Sequence, residues 1–387
     1  MFGIPHYGAM SAYYFLYYAL LGVLVPYWSL YLQGRGFTPW EIGILLSVPH
    51  ITKLGAPNLW GWLADSTGDR RRIIQMGNFC AALIFPAVFI AHGFWAMVLV
   101  LAGYSFFWNA VMAQCEALVL STLGSQSHRY SWIRLWGSVG FVFTVLLLGW
   151  WVKAQGVRVI AVCMGALLVC LWLASVALPR GDVVERRRKS PTPLWPMLKQ
   201  PAVLAFLAAG LLMQFSHGPY YGFFTLYLDN AGVATQWVGV LWTIGVLAEI
   251  ILFLGMAWLL RRFSVKALLV GSLGLTVLRW GIMGTGTLHG GWLVVAQCLH
   301  AASFACYHAS AMAWLHGYFP TALAGRAQGV YASFSLGAGW ALGATIAGAL
   351  WEAWQQYTFW LAAGAAAVAL LLLWALLPTA TTKAVAS

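Results

Sequence analysis

Seven residues of this 387-residue chain could carry a proton or hold an ion where charge is expensive. Lys53, Glu116, Arg134, Glu249 and Arg279 each interrupt a long apolar run, and His300 and His308 share a further one. An ionised side chain at the centre of a bilayer costs about 2.5–3.5 kcal/mol on insertion scales, so each of these invites a functional explanation. Glu249 could carry a proton by alternating between an apolar and an Arg-facing environment, which favour opposite charge states. Histidine titrates near neutrality, so His300 and His308 could relay that proton. Their eight-residue separation is not a metal-ligand spacing. A cation inside an apolar run suits an anionic substrate, whose carboxylate could take a charge-assisted bond from Lys53 or Arg279. Lys53 could equally serve only to neutralise Glu249. Glu116 and Arg134 lie 18 residues apart across a short loop, so they could pair.

The elements that must position these groups are membrane helices. The chain is 62% hydrophobic and only 8% charged, too few charges to cover a water-facing surface. Twelve apolar runs are legible, at 10–32, 40–64, 73–92, 95–121, 132–153, 156–178, 202–228, 236–260, 267–287, 291–316, 326–351 and 357–377. Each is near the roughly 20 residues that one helical crossing requires. None shows the ten-residue alternation of a barrel strand. The expected fold class is therefore an all-α membrane protein with twelve transmembrane helices. The first run, 10–32, reads as a span, because it lacks a basic leader and a small-residue cleavage site.

The net charge of +12 does not point to nucleic acid, because the basic residues fall in alternate loops. One set holds fifteen: Arg70, Arg71, Arg72, Arg129, Arg180, Arg186, Arg187, Arg188, Lys189, Lys199, Arg261, Arg262, Lys266, Arg326 and Lys383. The other holds three: Arg35, Lys153 and Arg158. That bias puts both termini and the longest loop on the cytoplasmic side. The loop divides the chain into residues 1–178, a linker at 179–201, and residues 202–387. The six cysteines sit in apolar runs without a metal-binding spacing and read as small buried hydrophobes.

An internal repeat supports the division. YWSLYLQGRGFTPWEIGIL at Tyr27–Leu45 and FFTLYLDNAGVATQWVGVL at Phe223–Leu241 align without a gap at an offset of 196 residues, matching Gly36 with Gly232 and Gly43 with Gly239. The same offset maps Lys53 onto Glu249. Two parallel repeats imply two six-helix bundles with a substrate site between them near the midplane, which both residues could face. A polar stripe of Gln214, His217 and Tyr221, with Tyr220, Trp108 and Tyr14, could form an aromatic box around a flat substrate.

GWLADSTGDRRR at Gly61–Arg72 resembles the cytoplasmic loop motif of the major facilitator superfamily. Asp69 stands where the first basic residue is usual. The resemblance implies a gate: Gly61 permits close helix contact, and Asp65 meets a helix N-terminus or a basic residue across the interface between halves, with Arg70 and Arg71 completing the motif. RLWGSVGFV at Arg134–Val142, YYGFFTLYLDNAG at Tyr220–Gly232, VGVLWTIGVLAEIILF at Val238–Phe253, RWGIMG at Arg279–Gly284 and the Gln297–His300 run are similar to the phenylpropionate permease family, relatives of the lactose permease. That resemblance implies substrate contacts at Glu116 and Arg134, a basic residue at Lys53, and a proton-coupling group of Glu249, Arg279 and His300. It departs at Ser303, where the lactose permease has an acid.

These readings together give a proton-coupled symporter in the major facilitator fold, importing a small aromatic carboxylate by alternating access. Its substrate-binding residues are Lys53, Glu116, Arg134, Tyr220, Tyr221 and Arg279, and its proton-coupling residues are Glu249, His300 and His308. The alternatives are a sugar or nucleoside symporter and an exporter of hydrophobic compounds. No phosphate loop or hydrolase motif occurs, so neither an enzyme nor a cofactor is expected. The expected partners are the substrate, a proton and bilayer lipid, with no nucleic acid, and the chain is expected to work as a monomer in a bacterial inner membrane.

Overall fold

The computed structural model describes residues 4–180 and 193–378. Arg186–Lys189 of the linker and Lys383 of the tail lie outside the described residues. Every regular element among those described is helical. The first half contains α1 (Tyr7–Gly34), α2 (Pro39–Thr67), α3 (Arg70–Ile84), α4 (Phe94–Trp108), α5 (Val111–Leu123), α6 (Tyr130–Gln155) and α7 (Arg158–Val176). A short α8 (Trp195–Leu198) opens the second half. It is followed by α9 (Pro201–Ser216), α10 (Gly218–Asn230), α11 (Thr235–Arg262), α12 (Val265–Gly284), α13 (Gly290–Cys298), α14 (Tyr307–Tyr318), α15 (Thr321–Tyr331), α16 (Gly339–Trp354) and α17 (Thr358–Leu376).

Four pairs of these helices are single crossings broken in the middle. α4 and α5 are interrupted at Asn109–Ala110, and α9 and α10 at His217. Pro219 follows that second break, where a proline has no N–H to continue the helical ladder. Wide π-type turns, Ala301–Cys306 and Ala332–Ala338, join α13 to α14 and α15 to α16. Counted this way, the twelve expected crossings are present.

Eight helical stretches among the described residues are long and apolar enough to cross a membrane. One of them, Phe94–Gln155, has 62 residues. At 1.5 Å per residue it would measure about 93 Å, so it must cross more than once. α2 and α13–α14 are not among the eight. α2 carries Glu41, Lys53 and Asp65, and the other crossing carries His300, His308 and His316. Glu249 and Arg279, by contrast, lie on crossings that are among the eight, Thr235–Arg262 and Val265–Gly284.

Local signals set the helix ends. Thr38 and Glu41 form a reciprocal capping box at the start of α2, which satisfies two otherwise orphaned backbone donors. Gly36 and Gly232, the matched glycines of the repeat, both adopt positive φ, 83° and 76°, a conformation that glycine reaches at no steric cost.

By contact the chain divides into two compact units. One is Met1–Arg187 with Leu228–Val240, and the other is Arg188–Tyr227 with Leu241–Ser387. Leu228–Val240 thus groups with the first unit, although the sequence boundary at 202 puts it in the second half. In the first unit α1 lies along α6 and α7, and a Cβ on Gly140 would come within 2.1 Å of the Phe15 carbonyl oxygen. In the second, α9 packs against α16 and α17 around a core that includes Phe206, Trp314 and Tyr331. Four of the cysteines are at least partly buried, but Cys170 and Cys298 are exposed, a correction to the reading of all six as buried.

Candidate functional site

The first unit gathers its polar groups around α5 and the start of α6. Glu116 is half-buried and accepts a hydrogen bond from the Tyr130 hydroxyl at 3.2 Å. Tyr130 in turn meets the Tyr14 hydroxyl of α1 at 3.1 Å. Arg134, one turn beyond Tyr130, lies over the Tyr18 ring with its guanidinium carbon 4.0 Å from the centroid. Gly137 makes room for this stack, because a Cβ there would sit 2.6 Å from the Tyr18 ring and 2.9 Å from the Arg134 guanidinium. Among the described residues, no ion pair joins Glu116 to Arg134, contrary to the expected pairing. Tyr130 occupies the acid, and the arginine finds an aromatic face instead, a contact worth roughly 0.5–2 kcal/mol depending on exposure.

Lys53 is exposed on α2. One residue before it, Thr52 bonds Ser105 at 2.9 Å and accepts from Asn109 at 3.0 Å. Asn109 also donates to the Pro49 carbonyl at 2.8 Å. Asn109, at the break between α4 and α5, therefore fixes the part of α2 that presents Lys53. Trp108 stacks on Tyr17 with centroids 5.1 Å apart, so it and Tyr14 are each held by neighbours in this unit.

The loop motif works as a clamp on the same unit. Asp65 accepts from Arg70 Nη2 at 2.7 Å, and Arg70 Nη1 donates to Gln114 on α5 at 2.7 Å. Arg71 donates to the Val176 carbonyl at the end of α7. Asp69 caps α3, accepting from the Arg72 amide, which explains an acid where a base is usual. Gly61 faces the same Gln114, its would-be Cβ 3.6 Å from the amide nitrogen. The partner of Asp65 is thus the motif's own arginine.

The second unit has a tighter arrangement. Arg279 on α12 is fully buried. Its Nε donates to the Ala296 carbonyl at 2.9 Å. Nη1 donates to His300 Nδ1 at 2.9 Å and to Ser303 Oγ at 3.0 Å. His300 Nε2 lies 2.8 Å from Glu249 Oε1. The chemistry of the partners fixes the tautomer. Arginine is only a donor, so Nδ1 accepts and Nε2–H donates to Glu249. A neutral imidazole therefore links a guanidinium to a carboxylate. Ser303, standing where the lactose permease resemblance implies an acid, supplies a neutral hydroxyl, and the balancing charge is Glu249.

Aromatic rings surround this chain. The guanidinium carbon of Arg279 lies 4.2 Å from the Tyr220 and Trp280 centroids, and Tyr220 donates to Gln297 at 2.7 Å. Gly245 lets α11 approach: a Cβ there would be 3.4 Å from both Gln297 and His300. Tyr221 stacks with His217, Trp242 and Trp340 at 5.6–5.9 Å. Of the expected stripe, Gln214 and His217 are buried, and His217 Nδ1 is held by the Met213 carbonyl. The outer guanidinium nitrogen of Arg279, Nη2, is buried without a hydrogen-bond partner. Such a donor costs about 1–3 kcal/mol, which a ligand acceptor would recover.

The structure therefore brings Glu249, His300, Arg279 and Tyr220 into one connected cluster, with Tyr221 beside it. His308 is not part of it, being half-buried and stacked on Phe304 at 6.3 Å. Sequence reasoning gave no role to Tyr18, Tyr130, Gly137, Gly245 or Gln297. The signal was spacing on helix faces: Tyr130 and Gly245 each precede a charged residue by one turn, and Gln297 precedes His300 by three.

This helical architecture is shared with solved transporters. A point variant of the nucleoside transporter NupG superposes with a TM-score of 0.86 at 20% identity, covering 96% of this chain and all of that one. In sequence, the probable 3-phenylpropionic acid transporter of Escherichia coli (strain K12) is 32% identical over 358 residues, 90% of this chain and 92% of that protein. The xanthosine permease of the same strain is 22% identical over 370 residues, 86% of this chain and 85% of its own length. The description of the MFS_1 like family matches residues 7–362. With that match across nearly the whole length, the chain belongs to the MFS_1 like family and is a multi-pass membrane transporter of the major facilitator type, not an enzyme.

Proposed function

We propose that this protein imports a small aromatic carboxylate together with a proton, by alternating access. The observation that carries the reading is the Arg279–His300–Glu249 chain, buried at the arginine and the histidine and half-buried at the glutamate. Glu249 is the proton carrier. Taking up a proton removes the negative end of the chain and weakens its hold on His300. The substrate carboxylate binds a cation, either the open donor of Arg279 or exposed Lys53, and its ring stacks among Tyr220, Tyr221 and neighbouring aromatics. The similarity to the Escherichia coli protein named for 3-phenylpropionic acid supports this substrate class. Glu116 and Arg134 complete the substrate contacts, and Gly61, Asp65, Arg70 and Arg71 form the gate. His308 serves as an outer relay, both termini are cytoplasmic, and the protein works as a monomer.

The test is uptake of labelled 3-phenylpropionate into proteoliposomes, with and without an inward proton gradient. Gradient-stimulated accumulation is expected. Failure to accumulate any aromatic acid overturns the substrate, and accumulation indifferent to the gradient overturns the coupling. A second reading, a nucleoside symporter, draws on the similarity to the xanthosine permease and on the hydroxyl-bonding set of Glu116, Tyr130 and Asn109. Competition by nucleosides but not by aromatic acids in the same assay would favour it.

A further inference from the structure

The second unit carries a surface feature that transport chemistry does not use. A groove of about 420 Å³ runs beside α9, walled by Trp195 and Lys199 on one side and by Val330 and Phe334 on the other, with Leu204 and Ala208 along α9. Every lining residue except Lys199 is apolar. Trp195 is 65% exposed, and the Lys199 ammonium lies 5.3 Å from its ring centroid. Gln200 accepts from the Tyr318 hydroxyl, which anchors this end of the groove to α14. Arg326 is exposed one turn before Val330 on α15 and so shares its helix face. Lys199 thus lines an apolar slot, Arg326 is exposed one turn from its lining residue Val330, and α8, α9 and α15 contain no Asp or Glu. The walls meet where Ser335 Oγ donates to the Leu207 carbonyl at 3.0 Å, within the π-type turn that also carries Phe334.

We propose that this groove binds an anionic phospholipid, one acyl chain lying in the slot and the phosphate held by Lys199 and Arg326. Charge complementarity and shape select this occupant. An indole and basic side chains at the headgroup level mark the membrane interface, and a basic pocket between helices recognises anionic headgroups. A chain in the slot packs on Phe334 and so bears on the π-type turn Ala332–Ala338, which ends two residues before Trp340, the stacking partner of Tyr221.

Native mass spectrometry of the purified full-length protein with phosphatidylglycerol or phosphatidylcholine of matched chains tests this directly. At roughly fivefold per cation, wild type should retain phosphatidylglycerol about 25-fold better than phosphatidylcholine. The double variant Lys199→Gln/Arg326→Gln should lose that preference and keep the weak phosphatidylcholine signal. Ala208→Phe, which fills the slot, should lower both signals while an unchanged lipid-free melting temperature certifies its fold. Equal retention of the two lipids by wild type overturns the proposal. So does undiminished phosphatidylglycerol in the double variant, or a dimer that Ala208→Phe abolishes without touching lipid binding.

Discussion

The two units hold ionisable groups of similar kinds in opposite manners. In the second, a buried arginine, a buried histidine and a half-buried glutamate are joined end to end by bonds of 2.8–2.9 Å. In the first, a lysine, a glutamate and an arginine are open or half-buried, and tyrosines separate the acid from the arginine. A buried chain of fixed geometry is costly to leave incomplete, so it suits a group that must change protonation state at one defined place. A looser set bridged by hydroxyls and ring faces adapts to a ligand. On the function proposed above, proton handling falls to the second unit and the first supplies adaptable substrate contacts, and graded substitutions should separate the two roles.

The largest effect should come from Arg279→Gln. Removing one partner of a buried charged group typically costs about 3–5 kcal/mol, so the melting temperature should fall sharply and uptake should vanish. Arg279→Lys should recover only part of the stability, because an ammonium cannot fill three directed bonds in one plane. A melting temperature for Arg279→Gln close to wild type would remove the buried chain as a structural unit. Next is Glu249→Gln. The expected outcome is loss of gradient-driven accumulation by roughly two orders of magnitude, about 2.7 kcal/mol of coupling, while substrate exchange without a gradient persists. Intact coupling in this variant would move the proton carrier elsewhere.

Lys53→Gln should raise KM for the carboxylate about tenfold, equivalent to about 1.4 kcal/mol, and leave binding of the corresponding neutral amide unchanged. An equal loss for both ligands would make Lys53 structural. The smallest effect is expected from Tyr130→Phe, which removes the hydroxyl between Glu116 and Tyr14. A loss of about 1 kcal/mol should appear as a severalfold rise in KM with coupling preserved. A loss of coupling there would erase the division of labour between the units.

The twelve crossings were legible because apolar length is dictated by the bilayer; the repeat and the basic loop put the division at 179–201, whereas Leu228–Val240 groups by contact with the first unit. The breaks within crossings were less legible. Asn109 and His217 mark them only weakly, and π-type turns leave no clear periodicity signature. Among site residues, the sequence singled out Glu249 and Arg279 by charge in an apolar run, and grouped His300 with them by the permease resemblance. It could not reveal that Glu116 binds Tyr130 instead of Arg134, since that outcome depends on which side chain the loop between α5 and α6 inserts. Nor could it separate His308 from His300: both lie on one crossing, and the bonds of His300 to Arg279 and Glu249 distinguish them only in three dimensions. The Asp65 motif was readable as a cluster, but its partner within the same loop was not.

The central claim is that substrate and proton bind as a pair, with the proton on Glu249. Proton uptake by the purified protein in lightly buffered detergent, recorded as 3-phenylpropionate is added, tests this most directly. The account predicts about one proton taken up per substrate bound in wild type and none in Glu249→Gln that still binds substrate. Substrate binding without proton uptake in wild type, or equal uptake in the variant, would contradict it.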